Sequence, residues 1–517
     1  MPSSIALFVI GIAAAYAFLR LLVFLKHDPR EPKSIVGTIP FISPIIGMLY
    51  EKGGYYLRMR DKYGLPIYTL RVPGPPLYVV NSLSLIQRID RHILTVAFAP
   101  IQVRACEKAM AVSKDGMDKI AGEKKVAEDG YLRSLTRAIA PGVSPGPGLD
   151  ALNRAAINNF ATSFDRMAAQ GRITVNLYEW IRHEIFAATT DATYGPHNPF
   201  RHSTNEKSWF EYESGIMTLL MGFLPNIFAR QSVKALDVMV AELKRYFQAD
   251  QHLDASLFVQ LRQKHNIAFG LGINDTAHTE VGQIAAIIVN SAPTAFWAAW
   301  QILSDPIIYD DCKREVTQLV QTDSDGVCVI DLAQVRTACP ILASTWQEVL
   351  RFHGISIAAR VIQEDTLVDN KYLLKKDGVV LIPNAVIHSD QSLWGPTVGV
   401  FDHKRFLKTQ KDGATRHPAA AFRGFGGGHV LCPGRHFAST EILSFLALLL
   451  LRFDVRPVGG RWLDPGKDMA MDRACPLPKN DVELELTAKS QQKWRVIFSN
   501  SNQGINIVAE DIDNVKN

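Results

Sequence analysis

The stretch FRGFGGGHVLCPGRHFA, residues 422–438, places three consecutive glycines before a cysteine, Cys432, which Pro-Gly-Arg follows. The apolar pattern after it predicts a helix from Gly434 to Phe453, so the thiol stands where a helix begins. Free N–H groups and the positive end of the dipole at a helix N-terminus stabilise a thiolate. Pro433 suits the first helical position, because a proline there gives up no hydrogen bond. The stretch therefore predicts a cysteine suited to bind a metal as a thiolate.

Three interpretations of Cys432 fit these residues. A single soft ligand in a dry pocket is what thiolate-ligated haem iron requires; Gly426 would let the backbone approach a flat ligand and Phe425 would shield the sulfur. A lone cysteine is also commonly a small packed hydrophobe. His429, Cys432 and His436 could instead bind zinc, although no fourth ligand stands nearby and structural zinc sites usually use cysteine pairs.

Composition bounds the class of protein. The chain has 517 residues, 47% hydrophobic and 21% charged, which allows a large core and excludes a disordered protein. A net charge of +5 is too small and diffuse for a nucleic-acid-binding protein. The 6 cysteines are scattered without a CxxC pair, which argues against a structural zinc site and a dense disulfide framework. A reducing compartment is the simplest interpretation.

The N-terminus has a different character. The segment from Ile5 to Leu25 is apolar except for Arg20, and about 20 such residues span a bilayer. Lys26 and Arg30 follow it, whereas no Lys or Arg precedes it, so the positive-inside rule places the body of the protein in the cytosol. The pattern favours an uncleaved anchor over the alternative, a cleaved signal peptide.

The rest of the chain predicts a mainly α protein with small β-sheets. Residues 66–82 indicate two strands around a Pro-Gly turn, residues 151–351 are mainly helical, and residues 360–384 and the region near the C-terminus indicate strands. The apolar segment 208–230 lines a ligand channel, touches a membrane, or forms an ordinary buried helix pair. We expect an anchor at 1–27, a proline-containing hinge at 28–50, one large domain at 51–500 and a polar, loose tail at 501–517.

The segment FGGGHVLCPG, residues 425–434, resembles the cysteine loop of the cytochrome P-450 family. The resemblance implies the cytochrome P-450 fold and haem b, with Cys432 as the axial ligand of the iron and Phe425, Gly426 and His429 against the cofactor. The sequence departs from the family at Val430. Members commonly have Arg or His there, in contact with a haem propionate.

Two further motifs extend the resemblance. Glu348 and Arg351, in TWQEVLRFHG, match the family's Glu-x-x-Arg helix, and i, i+3 spacing puts them on one helix face. Arg405, in FDHKRF, matches its third partner. The resemblance implies that these residues form a buried structural network that locks the cysteine loop.

The family also binds haem propionates with arginines. Arg360, in SIAARVIQED, resembles the strand arginine with this role, since a guanidinium fork fits a carboxylate. The family's Trp-x-x-x-Arg contact lacks its Trp here. Arg133 and Arg137 are candidates for its arginine, and the sequence does not choose between them.

The helix over the iron decides the chemistry. Counted back from Pro306, the family's acid–alcohol pair becomes Val289 and Asn290. Asn290 with Pro293 resembles the branch of sterol 7-alpha- and 12-alpha-hydroxylases and prostacyclin synthase. The proline predicts a kink in this helix, and the amide offers both a donor and an acceptor. Asn290 is therefore the predicted catalytic residue.

The resemblance implies a membrane-anchored monooxygenase of the endoplasmic reticulum, with a single-pass anchor and a cytosolic catalytic domain. It would take NADPH-derived electrons from NADPH–cytochrome P-450 reductase and oxidise an apolar substrate. The Cys-Pro-Gly-Arg loop resembles fungal secondary-metabolite members that act on terpenoid- or sterol-like skeletons. Two alternatives stay open: a haem-thiolate isomerase or dehydratase that needs no external electrons, and a non-catalytic haem sensor or carrier.

Overall fold

The computed structural model contains mostly helices. It describes residues 4–122, 127–407, 417–490, 492–500, 504–505, 507–508 and 511. Its helices are α1 (Ser4–Lys26), α2 (Ser43–Glu51), α3 (Gly54–Tyr63), α4 (Leu83–Ile89), α5 (Ala99–Lys108), α6 (Lys114–Ala121), α7 (Tyr131–Val143), α8 (Pro147–Ala169), α9 (Leu177–Tyr194), α10 (Ser203–Glu213), α11 (Ile216–Met221), α12 (Pro225–Phe228), α13 (Arg230–Gln248), α14 (Leu257–Ala268), α15 (Ile273–Ile288), α16 (Ser291–Ser304), α17 (Pro306–Thr317), α18 (Val335–Ala338), α19 (Pro340–Phe352), α20 (Asn384–His388), α21 (Gln391–Trp394) and α22 (Arg435–Arg452).

The strands form small sheets, as the sequence predicts. They are β1 (Ser34–Ile35), β2 (Ile67–Leu70), β3 (Leu77–Val80), β4 (Val96–Ala97), β5 (Arg172–Asn176), β6 (Gln321–Thr322), β7 (Cys328–Asp331), β8 (Ile357–Ile362), β9 (Thr366–Val368), β10 (Tyr372–Leu374), β11 (Val379–Pro383), β12 (Phe453–Pro457), β13 (Lys467–Asp468), β14 (Leu477–Pro478), β15 (Glu483–Ala488) and β16 (Trp494–Ile497). The largest sheet has the order β1-β2-β3-β11-β8-β4. The predicted hairpin around the Pro-Gly turn is the antiparallel pair β2–β3, and β8 pairs antiparallel with β11.

Two apolar helices, α16 and α22, form the centre of the core. Almost every residue of each is buried, which is what a helix that is apolar on all faces requires. On α22, Phe445 packs edge-on against Phe160 and Phe164 of α8, with ring centroids 5.4 and 5.5 Å apart. This packing fixes the axis of α22, and therefore the place where its N-terminus presents Cys432.

The helix pair α15–α16 is broken at Val289 and Asn290, three residues before Pro293. Proline has no N–H to bond the carbonyl four residues earlier, and its ring crowds that carbonyl, which here belongs to Val289. Thr294 stabilises the break, because its Oγ1 donates a hydrogen bond of 2.7 Å to the carbonyl of Asn290. The predicted kink is confirmed, and it lies one turn before the proline.

The N-terminal helix α1 stands outside the core. Its window Phe8–Leu25 has a mean hydropathy of 2.3 and only 6% of it is buried, which is compatible with a membrane anchor. A second window of sufficient length and hydropathy, Ile273–Ser304, is 61% buried and belongs to the core helices α15 and α16.

The apolar segment 208–230 divides into two parts. Trp209 and Tyr212 on α10 are buried, as in an ordinary packed helix. The following turn and α12 form an exposed apolar hairpin, residues 221–228. Its exposed side chains are Met221, Phe223, Leu224, Ile227 and Phe228. An apolar patch of this kind on a surface marks an interaction site.

The C-terminal tail packs against the start of α22. Among its described residues, Ile505, Ile507 and Val508 are buried in the core cluster. Arg435 donates from Nε and Nη2 to Asp511 Oδ1 at 2.9 and 2.5 Å. The expectation of a loose tail is wrong for these residues, because the apolar side chains are buried in the core cluster and Asp511, itself buried, is held by Arg435. The remainder of the predicted tail, residues 501–503, 506, 509–510 and 512–517, lies outside the described residues.

Candidate active site

The loop before Cys432 is closed by a backbone hydrogen bond. The N–H of Cys432 donates to the carbonyl of Phe425 at 3.0 Å, and a short 3-10 turn, Gly428–Val430, lies between them. Gly426 has a φ of +84°, and a β-carbon there would lie 2.9 Å from the carbonyl oxygen of Val430. The left-handed backbone and the close approach both require glycine at this position. The loop is therefore a fixed structure that presents one sulfur.

Two opposing effects act on the thiol. Desolvation raises the pKa of Cys432, whereas hydrogen bonds from the backbone N–H groups of Gly434 and Arg435, together with the Arg435 cation, lower it. The helix begins at Arg435 with Gly434 as its N-cap, so the expectation of Pro433 at the first helical position is wrong. The proline still serves the helix, because it stiffens the turn that leads into the cap. The half-buried sulfur of Cys432 thus has N–H donors that stabilise a thiolate, which suits a metal-bound sulfur.

The three residues of the zinc interpretation are used separately. The N–H of Ile505 donates to His436 Nδ1 at 3.3 Å, and His436 Nε2 lies 3.5 Å from Asp511 Oδ1. Burial lowers the pKa of His436 to about 4. His429 is exposed on the 3-10 turn. No group of three or more metal-ligating side chains occurs within the described part of the chain, so the zinc interpretation has no site. The haem contact of His429 stays a prediction.

The structure brings Glu348, Arg351 and Arg405 together in a buried network. Arg351 donates from Nε and Nη2 to the Glu348 carboxylate at 2.7 and 2.6 Å, a two-pronged pair. Arg405 Nε lies 3.1 Å from both oxygens of the same carboxylate. Arg351 Nη1 also donates to the carbonyls of His388 and Val398, both at 3.0 Å. The Glu348 carboxylate and the Arg351 guanidinium thus hold α19 to the end of α20 and to the segment after α21 that carries Val398 and Arg405.

His388 connects this network to the cysteine loop, and the sequence analysis did not identify it. The N–H of Arg423, two residues before Phe425, donates to His388 Nε2 at 3.0 Å. The carbonyl of Arg423 accepts a hydrogen bond of 3.0 Å from Asn384 Nδ2. Burial, and then the cations of Arg351 and Arg423, lower the pKa of His388 to about 3. The imidazole is therefore neutral, as its role of acceptor at Nε2 requires.

This buried histidine predicts a pH dependence. An unfolded histidine takes up a proton near pH 6.5, whereas the folded His388 does so only near 3. The unfolded state therefore binds the extra proton as pH falls through that window, and folding stability drops by up to about 1.4 kcal/mol per pH unit. Replacing His388 with Gln should remove this contribution, so that the free energy of unfolding in urea falls less between pH 7 and pH 5 than in wild type. His202→Gln, at an exposed histidine, is the matched control. If the free energy of unfolding falls as much between pH 7 and pH 5 in the His388 variant as in wild type, the prediction is wrong.

Arg360 on β8 is buried, and its Nη1 donates to the carbonyl of Ala359 at 2.8 Å. Burial lowers the pKa of Arg360 to about 10, the carboxylate of Asp90 opposes this, and the cation of Arg423 adds to it. Arg360 therefore lies close to a second buried guanidinium. Its role as a propionate ligand stays a prediction.

Arg133 and Arg137, the other predicted candidates on α7, both turn toward Glu128. Arg137 Nη2 donates to the Glu128 carbonyl at 2.6 Å, and Arg133 Nη2 lies 3.7 Å from a carboxylate oxygen of the same residue. These contacts do not distinguish the two arginines, and the choice between them stays open.

Asn290 stands at the break between α15 and α16 and is exposed, as is Ala286 one turn earlier on helices that are otherwise largely buried. These two residues define an open face on the kinked helix. Asn290 Oδ1 accepts a hydrogen bond of 2.8 Å from the N–H of Ala474. Within the described residues, its Nδ2 donates no hydrogen bond, so this N–H₂ group is left to act on a ligand. The catalytic role of Asn290 stays a prediction.

Residues 223–472 match the family model for cytochrome P450. A cytochrome P450 monooxygenase of Hypoxylon pulicicidum, nodJ, is 34% identical over 481 residues, which cover 90% of this chain and 92% of that protein. A cytochrome P450 monooxygenase of Gibberella zeae is 27% identical over 444 residues, 84% of this chain and 83% of that protein. The cholesterol 7-alpha-monooxygenase of Cricetulus griseus is 26% identical over 310 residues, 55% of this chain and 59% of that protein.

Proposed function

This chain belongs to the cytochrome P450 family of haem-thiolate monooxygenases, and on that premise we propose that it oxidises an apolar, terpenoid- or sterol-like substrate in a biosynthetic pathway. Members of the family bind haem b through a cysteine thiolate and use a redox partner; here we propose NADPH–cytochrome P450 reductase. When bound, haem supplies the activation of dioxygen, which no side chain supplies. The observation that carries the proposal is the cysteine loop, which presents one sulfur beside the N–H groups of Gly434 and Arg435.

The residues present fit haem b. Cys432 would hold the iron, since its surroundings provide N–H donors to a thiolate. Arg360 is a buried cation with guanidinium N–H groups to spare for a carboxylate, of which haem b has two. Phe425, Gly426 and His429 lie in the loop that leads to the sulfur and would line the cofactor.

Two observations support the substrate class. The open face of the kinked helix carries the apolar Ala286 beside a single amide, that of Asn290, which suits a substrate with few polar groups. One relative is named for the oxidation of cholesterol, and others are fungal monooxygenases. A haem-thiolate isomerase or dehydratase is the second candidate, because Val289 and Asn290 replace the family's acid–alcohol pair.

Asn290→Ala distinguishes these two candidates. A monooxygenase consumes protons as it consumes NADPH. The Val289 side chain cannot transfer protons, so we expect Asn290 Nδ2 and ordered water to provide the route by which protons reach the reacting oxygen. With reductase present, we expect the variant to form several-fold less product per NADPH consumed and to release reduced oxygen instead. The substrate is first identified by feeding candidate metabolites to a host that expresses the protein and comparing the products with those of an empty host. The quantity then measured for the variant is the product formed per NADPH consumed.

The control for this variant is Ser291→Ala, because the Ser291 hydroxyl is buried and donates to the carbonyl of Ile287 at 3.1 Å. Its product per NADPH should match that of wild type. Product formation by wild type without any electron donor would refute the monooxygenase and favour the isomerase.

We further propose that α1 anchors the protein in the endoplasmic reticulum membrane, uncleaved, with the catalytic domain in the cytosol. Support comes from the exposed apolar window Phe8–Leu25 and from the positive charges that follow it. The exposed hairpin, residues 221–228, would then rest on the same membrane, since its apolar side chains otherwise face water.

Deleting residues 1–25 should move most of the protein from the membrane to the soluble fraction, with residual binding through the hairpin. Adding Ile227→Ser and Phe228→Ser should weaken vesicle binding roughly tenfold or more, since each buried apolar side chain contributes about 1.5–3 kcal/mol. Ile307→Ser, at an equally exposed isoleucine on α17, is the control and should change nothing. A mature N-terminus beyond residue 25 in the native host would contradict the anchor.

A further inference from the structure

The side chain of Arg423 is buried but only partly paired. The residue is 3% exposed, and its Nη1 lies 3.3 Å from Asp90 Oδ2. Its Nε and Nη2 are buried and find no hydrogen-bond partner among the described residues. A buried donor without an acceptor destabilises the fold, and more so when it is charged. Several other arginines leave one buried nitrogen unpartnered, but among the described residues only Arg423 leaves two, which points to a partner that the protein itself does not supply.

The charges around Arg423 do not balance either. Arg360 is a second buried guanidinium, 5% exposed, and Arg423 and Asp90 both act on it electrostatically. Within the described part of the chain, these two cations therefore share one carboxylate, that of Asp90, whose side chain is 14% exposed. A buried charge is stable only when it is paired, so the residues that the structure describes leave this cluster one negative charge short.

The cluster belongs to the cysteine loop. A β-carbon on Gly427 would lie 2.8 Å from Arg423 Nη1, and a β-carbon on Gly428 would lie 3.0 Å from the side chain of Asp90. Any larger residue at either glycine would press on the ion pair. The glycines before Cys432 therefore make room for the Arg423 guanidinium as well as shaping the loop.

We propose that Arg423, together with Arg360, binds a carboxylate of haem b through its unpartnered Nε and Nη2. The inference rests on haem b as the cofactor of the proposed function. Nε and one Nη of a guanidinium form the edge that pairs with a carboxylate through two parallel hydrogen bonds. Such a contact supplies both the missing acceptors and the missing charge. The contact from Arg423 would also replace the haem propionate contact that Val430 cannot make.

The competing role for Arg423 is a tether that holds the loop to the end of α4 through Asp90. That role uses one nitrogen in a contact of 3.3 Å and leaves the other two unsatisfied. A tether predicts that Asp90→Asn and Arg423→Gln have the same effect. A haem ligand predicts that Asp90→Asn retains haem close to wild type, since it removes only a competing carboxylate.

The test measures the rate at which the ferric holoprotein loses haem to excess apomyoglobin. Arg423→Gln should lose haem roughly 10- to 100-fold faster, because a hydrogen bond to a charged group contributes about 1.5–3 kcal/mol. Arg71→Gln is the matched control: Arg71 is a buried guanidinium paired with Glu31 at 2.8 Å, and it also has an unpartnered Nε. An Arg423 variant that loses haem no faster than wild type, or a fast Asp90→Asn variant, overturns the proposal.

Reconstitution with haem dimethyl ester separates a direct contact from an indirect one. The ester has no carboxylate, so Arg423→Gln should change its rate of loss little, whereas an effect of the same size with both haems overturns the proposal. If Arg423→Gln yields no holoprotein, Arg423→Lys is measured in the same way. With haem b, it should accelerate haem loss less than Arg423→Gln would, and with haem dimethyl ester it should not accelerate the loss. An acceleration of the same size with the ester overturns the proposal. A wild type that retains no haem would instead refute the proposed function itself.

Discussion

Replacing Cys432 with serine is expected to abolish monooxygenase activity and the absorption band that reduced, CO-bound haem-thiolate proteins share. Serine is nearly isosteric, but its hydroxyl is a hard and weakly acidic ligand that does not donate electron density as a thiolate does. The loop should keep its shape, because Gly426 and the hydrogen bond from the Cys432 N–H to Phe425 do not involve the sulfur. The measurement is the Soret band of the reduced protein under carbon monoxide, together with product formation.

Cys475→Ser is the matched control for this variant, since Cys475 is another free cysteine and is buried. It should keep the thiolate-type band even if it is somewhat less stable. A wild-type band at the position typical of histidine-ligated haem, or an unchanged band in the Cys432 variant, would show that another residue holds the iron.

The second large effect is expected at Glu348. Replacing it with alanine leaves Arg351 and Arg405 buried without the carboxylate that holds both of them. Removing one partner of a buried ion pair typically costs about 3–5 kcal/mol. The loss reaches the cysteine loop, because Arg351 binds the carbonyl of His388, whose ring accepts from the N–H of Arg423. We expect little holoprotein, measured as haem per protein, and a marked fall in thermal stability.

Asp115→Ala is the matched control for Glu348, because it breaks an exposed i, i+4 pair with Lys119. Pairs of that kind contribute about 0.3–0.5 kcal/mol, so haem content should stay at the wild-type level. A Glu348→Ala variant with full haem content and ordinary stability would mean that the network does not support the cysteine loop.

Much of the fold could be predicted because the signals are local. The hairpin at residues 67–80, the all-apolar helix α22 and the break before Pro293 follow from patterns within a few residues. The family was evident from the segment 425–434 and from Glu348 and Arg351, and the similarity to known monooxygenases confirms it. For its described residues the expectation of a loose tail was wrong, because Ile505, Ile507 and Val508 lie in a segment of polar composition and are buried through contacts with the distant core.

The sequence by itself determined the family, the helix that starts beside Cys432 and the residue types needed for a haem-thiolate site, since these depend on spacing along one segment. Only the tertiary structure decided which distant groups meet. His388 and Arg423 carry no recognisable pattern, yet they are the groups that tie the Glu348 network to the cysteine loop. Likewise Asp90, Arg360 and Arg423 come from different parts of the chain. Only their packing shows that, among the described residues, the two buried arginines share the Asp90 carboxylate. The stability of a buried charge depends on its neighbours in space, because desolvation and pairing set its free energy and both are properties of the packed interior.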